Sequence, residues 1–162
     1  MAHYPLNHHL RPVYRFLAAL AGLYLLAFGV IGLGATWGDP FFHRAPDWVL
    51  GLRTNPAAAW LATIAAVLLV AGILIGGNVF HRVALVLGWA LCAFGVYLMA
   101  FMQTDANVFN ASMVNVIVLV LLGLIVLTAG LYGRTGTAEA ARQEAQLEHP
   151  TPPSRPGTTS TA

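Results

Sequence analysis

The sequence predicts an all-α integral membrane protein: four transmembrane helices in an up-down bundle. Three observations predict it. Four runs, residues 16–38, 54–80, 83–104 and 106–133, carry no Asp, Glu, Lys or Arg and fill most of the 162 residues. A helix rising 1.5 Å per residue needs about 20 apolar residues to cross a hydrocarbon core of ~30 Å, and each run is long enough. The chain is 58% hydrophobic and only 9% charged, with a mean hydropathy of +0.71. An ordinary soluble domain is ~25% charged. A soluble bundle of four such helices would have no polar faces left to coat it.

The elements follow in order. Residues 1–11 form a short polar arm, and residues 12–135 form the transmembrane domain. Pro12 suits the first turn of a helix, where its missing N–H costs nothing. The first span is expected at about 13–35. It is longer than the 7–15 apolar residues typical of a signal peptide and no A-x-A site follows, so it should remain as a span. Residues 36–55, TWGDPFFHRAPDWVLGLRTN, carry Asp-Pro and Ala-Pro steps that break regular structure. Trp37, Phe41, Phe42 and Trp48 alternate there with charges. Aromatics of this kind favour the headgroup level, so the segment is expected along the membrane surface, with a short helix at 46–52.

Asn55-Pro56 is a strong helix start, and the second span is expected at about 56–76. Gly76, Gly77 and Asn78 should form a tight turn before the third span, about 82–102. A short loop leads to the fourth, about 111–132, which Asn110 or Ser112 can cap. Residues 136–149 are rich in Ala, Glu and Gln and suit a short surface helix. Residues 150–162, PTPPSRPGTTSTA, have no apolar content to fold with and are expected to be disordered.

All eight basic residues are arginine, and the net charge is +2. The arginines are scattered between spans, so no stripe or patch suits nucleic acid. One side of the membrane would hold Arg11, Arg15, Arg82, Arg134 and Arg142, the other Arg44 and Arg53. Five against two places both termini in the cytoplasm by the positive-inside rule.

Span one contains Gly22-Leu-Tyr-Leu-Leu-Ala-Phe-Gly-Val30 and span three Gly88-Trp-Ala-Leu-Cys-Ala-Phe-Gly-Val96, identical at six of nine positions. Ala71-Gly-Ile73 and Ala129-Gly-Leu131 match in spans two and four. The chain reads either as a doubled helical hairpin or as a chance match between apolar helices. A true repeat would be parallel, about an axis along the membrane normal.

An ionisable group inside a span is costly and marks function. None falls at mid-membrane depth here, which argues against a proton relay, a coupled transporter or a voltage sensor. No nucleophile–base pair, phosphate loop or carboxylate dyad appears, so no enzyme activity and no cofactor are expected. His3, His8 and His9 lie in the arm, and His43, His81 and His149 are isolated. Asp39, His43 and Asp47 are the one conceivable metal set, but turn-forming Asp-Pro and Ala-Pro steps explain them equally, so no metal is expected. Cys92 is alone and reads as a buried apolar thiol.

The polar groups inside spans are Thr63, Asn115 and Thr128. Asn115 reads as glue to another helix, with a ligand or quinone contact as the lesser reading. Ala58, Ala62 and Ala66 form a ridge of small residues on span two; Ala18 and Gly22, and Gly88 and Cys92, begin ridges on spans one and three. Such faces let backbones approach closely. Gly29 and Gly95 close the repeated segments and are expected at close helix contacts.

The segment Gln103-Thr-Asp-Ala-Asn-Val-Phe-Asn110 before the last span and Gly130-Leu-Tyr-Gly-Arg134 closing it resemble a family of small four-span membrane proteins of GC-rich Gram-positive bacteria. That family is known as domain of unknown function 4383. The resemblance covers about residues 12–134. Family members often carry His-Asn and a further histidine in span two; this chain has Thr54-Asn-Pro-Ala-Ala-Ala-Trp60, so no role of those histidines carries over. The resemblance implies a bacterial four-helix protein and supplies no activity. The expected function is therefore that of a non-enzymatic plasma-membrane protein. Its partners would be the lipid bilayer and either further copies of itself, as a homo-oligomer, or a larger membrane complex. The alternative is a small-molecule or lipid carrier.

Overall fold

Four helices, each long and apolar enough to cross a membrane, pack against one another as a bundle in the computed structural model. It describes residues 9–45, 47–137 and 139–140. The arm at 1–8, most of the expected surface helix at 136–149 and the tail at 150–162 lie outside the described residues.

Helix α1 spans Arg11–Ala35, with Pro12 in its first turn. It ends at Thr36, whose N–H and hydroxyl both donate to the Gly32 carbonyl, at 3.0 and 2.8 Å. Helix α2 spans Pro56–Ile75; the Asn55 side chain caps it by accepting from the Ala58 N–H at 2.8 Å. Helix α3 spans Gly77–Phe101 and α4 spans Met113–Leu131. Helix α3 starts several residues earlier than the sequence predicts. Gly76 and Gly77 turn the chain at φ of +75° and +54°, conformations that favour glycine, so Asn78 joins the helix instead of the turn.

Two hairpins, α1–α2 and α3–α4, pack extensively; the α2–α3 and α1–α4 seams between them are thinner. Small residues fill the tight seams. Ala18, Ala59, Ala66, Ala84 and Ala129 are fully buried, while Leu74, Ile75 and Val86 are mostly exposed. In lipid the apolar exterior needs no polar coat, and close backbone packing supplies the cohesion between helices.

Side-chain contacts tie the helices at the end where α1 begins and α4 ends. There Arg15 donates to the Ile73 carbonyl near the C-terminus of α2. His81 Nδ1 lies 2.7 Å from the Gly130 carbonyl of α4. The Ile73 carbonyl lies in the last turn of α2, and the Gly130 carbonyl, near the end of α4, also accepts from the Gly133 N–H at 3.1 Å.

Among the described residues of the segment expected as a helix at 46–52, namely 47–52, none is helical. Strands β1 (Trp48–Val49) and β2 (Leu52–Arg53) pair antiparallel, with Trp48 opposite Arg53 and Val49 opposite Leu52. Leu50 and Gly51 turn with φ of 49° and 81°. Positive φ at both central residues is the geometry that matches the twist of a tight hairpin. The strand alternation buries Val49 and Leu52 against Phe28 and leaves Trp48 outside. Positive φ at Leu50 and Gly51 is incompatible with a right-handed helical turn there.

Candidate functional site

Among the described residues, side-chain hydrogen bonds gather at the end where the two longer connections meet. Of four asparagines there, three hold the connections together and one folds a single connection. Asn55, just before α2, donates to the carbonyls of His43 (3.2 Å) and Val108 (2.8 Å) while capping its own helix. Asn110, between α3 and α4, donates to Ala45 (2.5 Å) and Thr54 (3.0 Å). Its φ of 52° is one that asparagine tolerates better than most residues. Asn107 folds its own loop, donating to Met102 and Ala111 carbonyls and accepting from the Ala111 N–H.

Asn115 is the fourth. Its Nδ2 donates to the Arg53 carbonyl at 2.7 Å and its Oδ1 accepts from the Arg53 N–H at 3.1 Å. The carboxamide thus imitates a neighbouring strand at the edge of β2. The same Oδ1 accepts from the Ser112 N–H and hydroxyl at the start of α4. The sequence reading placed this carboxamide across to another helix. It reaches the loop hairpin instead, because Asn115 lies in the first turn of α4, at the level of the connection. Helix α4 also starts at Met113, two residues later than expected, since Asn110 and Ala111 are drawn into the loop network.

The outer surface of this cap is aromatic. Trp37 is 89% exposed, and Phe41, Phe42 and Trp48 are each about half exposed. Phe41 and Phe42 meet edge to face with centroids 4.9 Å apart. Arg44 and Asp105 pair at 3.5 Å across the two loops. That pair is exposed and screened, so it contributes little to stability.

Beneath the cap a crevice of about 70 Å³ opens along the thin α2–α3 seam. Leu25, Phe28, Ala62, Leu91, Phe94 and Leu119 line it, with Leu52 and Asn115 at its roof. Only the Asn115 carboxamide is polar there, and it is already bonded. The crevice can receive an apolar group, and its lining offers no acid, base or nucleophile.

The sequence-predicted packing residues divide by position. Gly29 faces α2 so closely that a Cβ would lie 2.2 Å from Thr63 Oγ1 and 2.8 Å from the Thr63 N. At Gly88 it would lie 2.5 Å from both Cα and N of Leu127. At Gly95 the nearest atom would be a Val120 methyl at 2.6 Å, and at Gly22 the nearest would be Leu69 at an ordinary 3.5 Å. The pair Gly22–Leu69 returns as Gly88–Leu127, 66 residues on in one helix and 58 in the other. Those are the offsets of the sequence repeat.

On α2 the seam toward α1 is formed by Ala59, Thr63 and Ala66, while Ala58 and Ala62 turn half-buried into the crevice. The expected Ala58–Ala62–Ala66 ridge is therefore split between two surfaces. Cys92 is half-buried, its Sγ 4.0 Å from the Val120 carbonyl, so it is less enclosed than expected. Among the described residues no three His, Cys, Asp or Glu side chains gather to hold a metal.

Sequence reasoning missed the joint work of Asn55, Asn107 and Asn110. The signal was present: three of the four asparagines flank helix ends in an otherwise apolar chain. No family model matches the chain, and no curated protein or solved structure matches it either.

Proposed function

We propose that the chain is a non-catalytic, multi-pass plasma-membrane protein that works by association, with itself or as an accessory subunit of a larger membrane complex. The observation that carries this reading is the cap. Its asparagines are committed to binding loop backbone, which fixes the two connections as one unit. That unit presents Trp37, Phe41, Phe42 and Trp48 outward. Rigid, exposed aromatics anchor interfaces at low entropic cost. The test is affinity purification from native membranes in mild detergent, with Trp37→Ala and Trp48→Ala beside the parent chain. Stoichiometric recovery of a partner or a homo-oligomer, lost in the variants, supports the reading. A lone monomer in every condition sinks it.

The five-against-two arginine count favours cytoplasmic termini, which would turn the cap to the outside. A bacterial plasma membrane and kinship with the domain of unknown function 4383 proteins rest on the segments 103–110 and 130–134. The second reading is an apolar-molecule or lipid carrier, favoured by the crevice on the α2–α3 seam. It predicts a ligand-dependent rise in melting temperature for the isolated protein.

A further inference from the structure

The opposite end of the bundle carries a different juxtaposition. The thin seam between α1 and α4 leaves a groove of about 200 Å³ lined by Tyr14, Leu17, Leu124, Ile125 and Thr128. The Thr128 hydroxyl already donates to the Leu124 carbonyl at 2.8 Å, so along its length the groove is an apolar trough. Tyr14 and Tyr132 stack at its mouth with centroids 4.9 Å apart, bridging α1 to the end of α4. Arg11 lies three residues before Tyr14, the spacing that puts two side chains on one face of a helix. Its Nε is buried without a hydrogen-bond partner.

The charge at this end is unbalanced among the described residues. Arg11, Arg15, Arg82 and Arg134 stand there against Glu139, which is exposed and lies past the end of α4. Arg15 is engaged with the Ile73 carbonyl. Arg53, the other arginine with a buried and unpartnered Nε, belongs to the cap and sits on the hairpin face opposite Leu52, away from the crevice. Helix spacing places Arg11 on the Tyr14 face of α1, at the mouth of the apolar groove. On α4 its lining runs from Thr128 to Leu124, about 6 Å at 1.5 Å per residue. A headgroup and the upper part of an acyl chain have that order of polarity along a membrane normal.

We propose that the α1–α4 groove holds one anionic phospholipid, its acyl chain against Leu17, Leu124 and Ile125 and its phosphate at the Arg11 guanidinium. A guanidinium matches phosphate in geometry and charge, and its donors gain most where water is scarce. The bilayer supplies the occupant directly, because the groove opens on the lipid-facing surface. The site is independent of the association reading, since it lies at the other end of the bundle from the cap.

The test uses the full chain in a neutral detergent, titrated with equal amounts of phosphatidylglycerol and phosphatidylcholine of the same acyl chains. Native mass spectrometry reads the retained lipid, and melting temperature reads its effect. One phosphatidylglycerol should be retained in preference to phosphatidylcholine. Arg11→Gln should cut that preference about fivefold, the size of one arginine's interaction with an anionic surface. Arg82→Gln, at the same end but outside the groove, should leave it unchanged. Leu17→Trp should fill the trough and remove the retained lipid while keeping Arg11. Equal losses in Arg11→Gln and Arg82→Gln would reduce the effect to diffuse surface charge and overturn the site. So would retention of lipid in Leu17→Trp, which decides the matter if Arg11→Gln does not fold. Inorganic phosphate raising the melting temperature as much as phosphatidylglycerol would overturn the lipid.

Discussion

Gly88→Ala is the substitution whose outcome the α3–α4 seam constrains most. A Cβ at that position would sit 2.5 Å from Leu127 Cα, 2.5 Å from Leu127 N and 2.7 Å from Leu127 Cβ. Carbon atoms in good contact lie ~3.5–4.0 Å apart, so one helix must retreat by about 1 Å. The obstacle is backbone, so no rotamer change relieves it. The retreat also loosens Gly123 and Gly130, which meet α3 backbone in the same seam. Overpacking of this kind costs ~1–3 kcal/mol, and alanine's better helix propensity returns at most about 1. The net expectation is a loss of about 1–2 kcal/mol, read as the unfolding midpoint in mixed detergent micelles.

Gly95→Ala sharpens the test. There the obstacle is a Val120 methyl, with the Val120 backbone N 3.6 Å away. Val120→Ala should therefore rescue Gly95→Ala, whereas Leu127→Ala should not rescue Gly88→Ala. A double-mutant cycle measures both. A Gly88→Ala protein that melts with the parent, or one that Leu127→Ala restores, would refute the backbone-contact reasoning.

Four further outcomes follow from the same contacts. Gly29→Leu should destabilise clearly, while Gly34→Leu should melt like the parent, because a Cβ at Gly34 meets nothing within 4 Å. Asn115→Leu strands both backbone groups of Arg53 and should cost about 2 kcal/mol or more; Asn115→Asp, which keeps the acceptor, should cost less, and protease sensitivity of the cap reports both. Reporter fusions at residue 162 and within residues 36–55 should show a cytoplasmic C-terminus and an exported loop, and an exported C-terminal reporter reverses the orientation. Truncation after His149 should leave expression and melting temperature unchanged, since residues 150–162 offer no apolar side chains to dock.

The sequence by itself determined the four helices and their place in a bilayer. Length, hydropathy and the caps at Pro12, Asn55 and Ser112 are local properties, and local physics suffices to read them. It also held the match between spans one and three, whose offsets recur in the contacts Gly22–Leu69 and Gly88–Leu127 but not in Gly29–Thr63 and Gly95–Val120. Tertiary structure decided the rest. Residues 48–53 fold as a hairpin whose Val49 and Leu52 pack together against Phe28, a contact between positions remote in sequence. Asn115 was legible as a polar group in an apolar run, but its partner was not, since Arg53 lies 62 residues away. The division of the alanine ridge between the α1 seam and the crevice turns on how α2 is rotated about its own axis. In a helix that is apolar on every side, no polar face records that rotation; only its neighbours fix it.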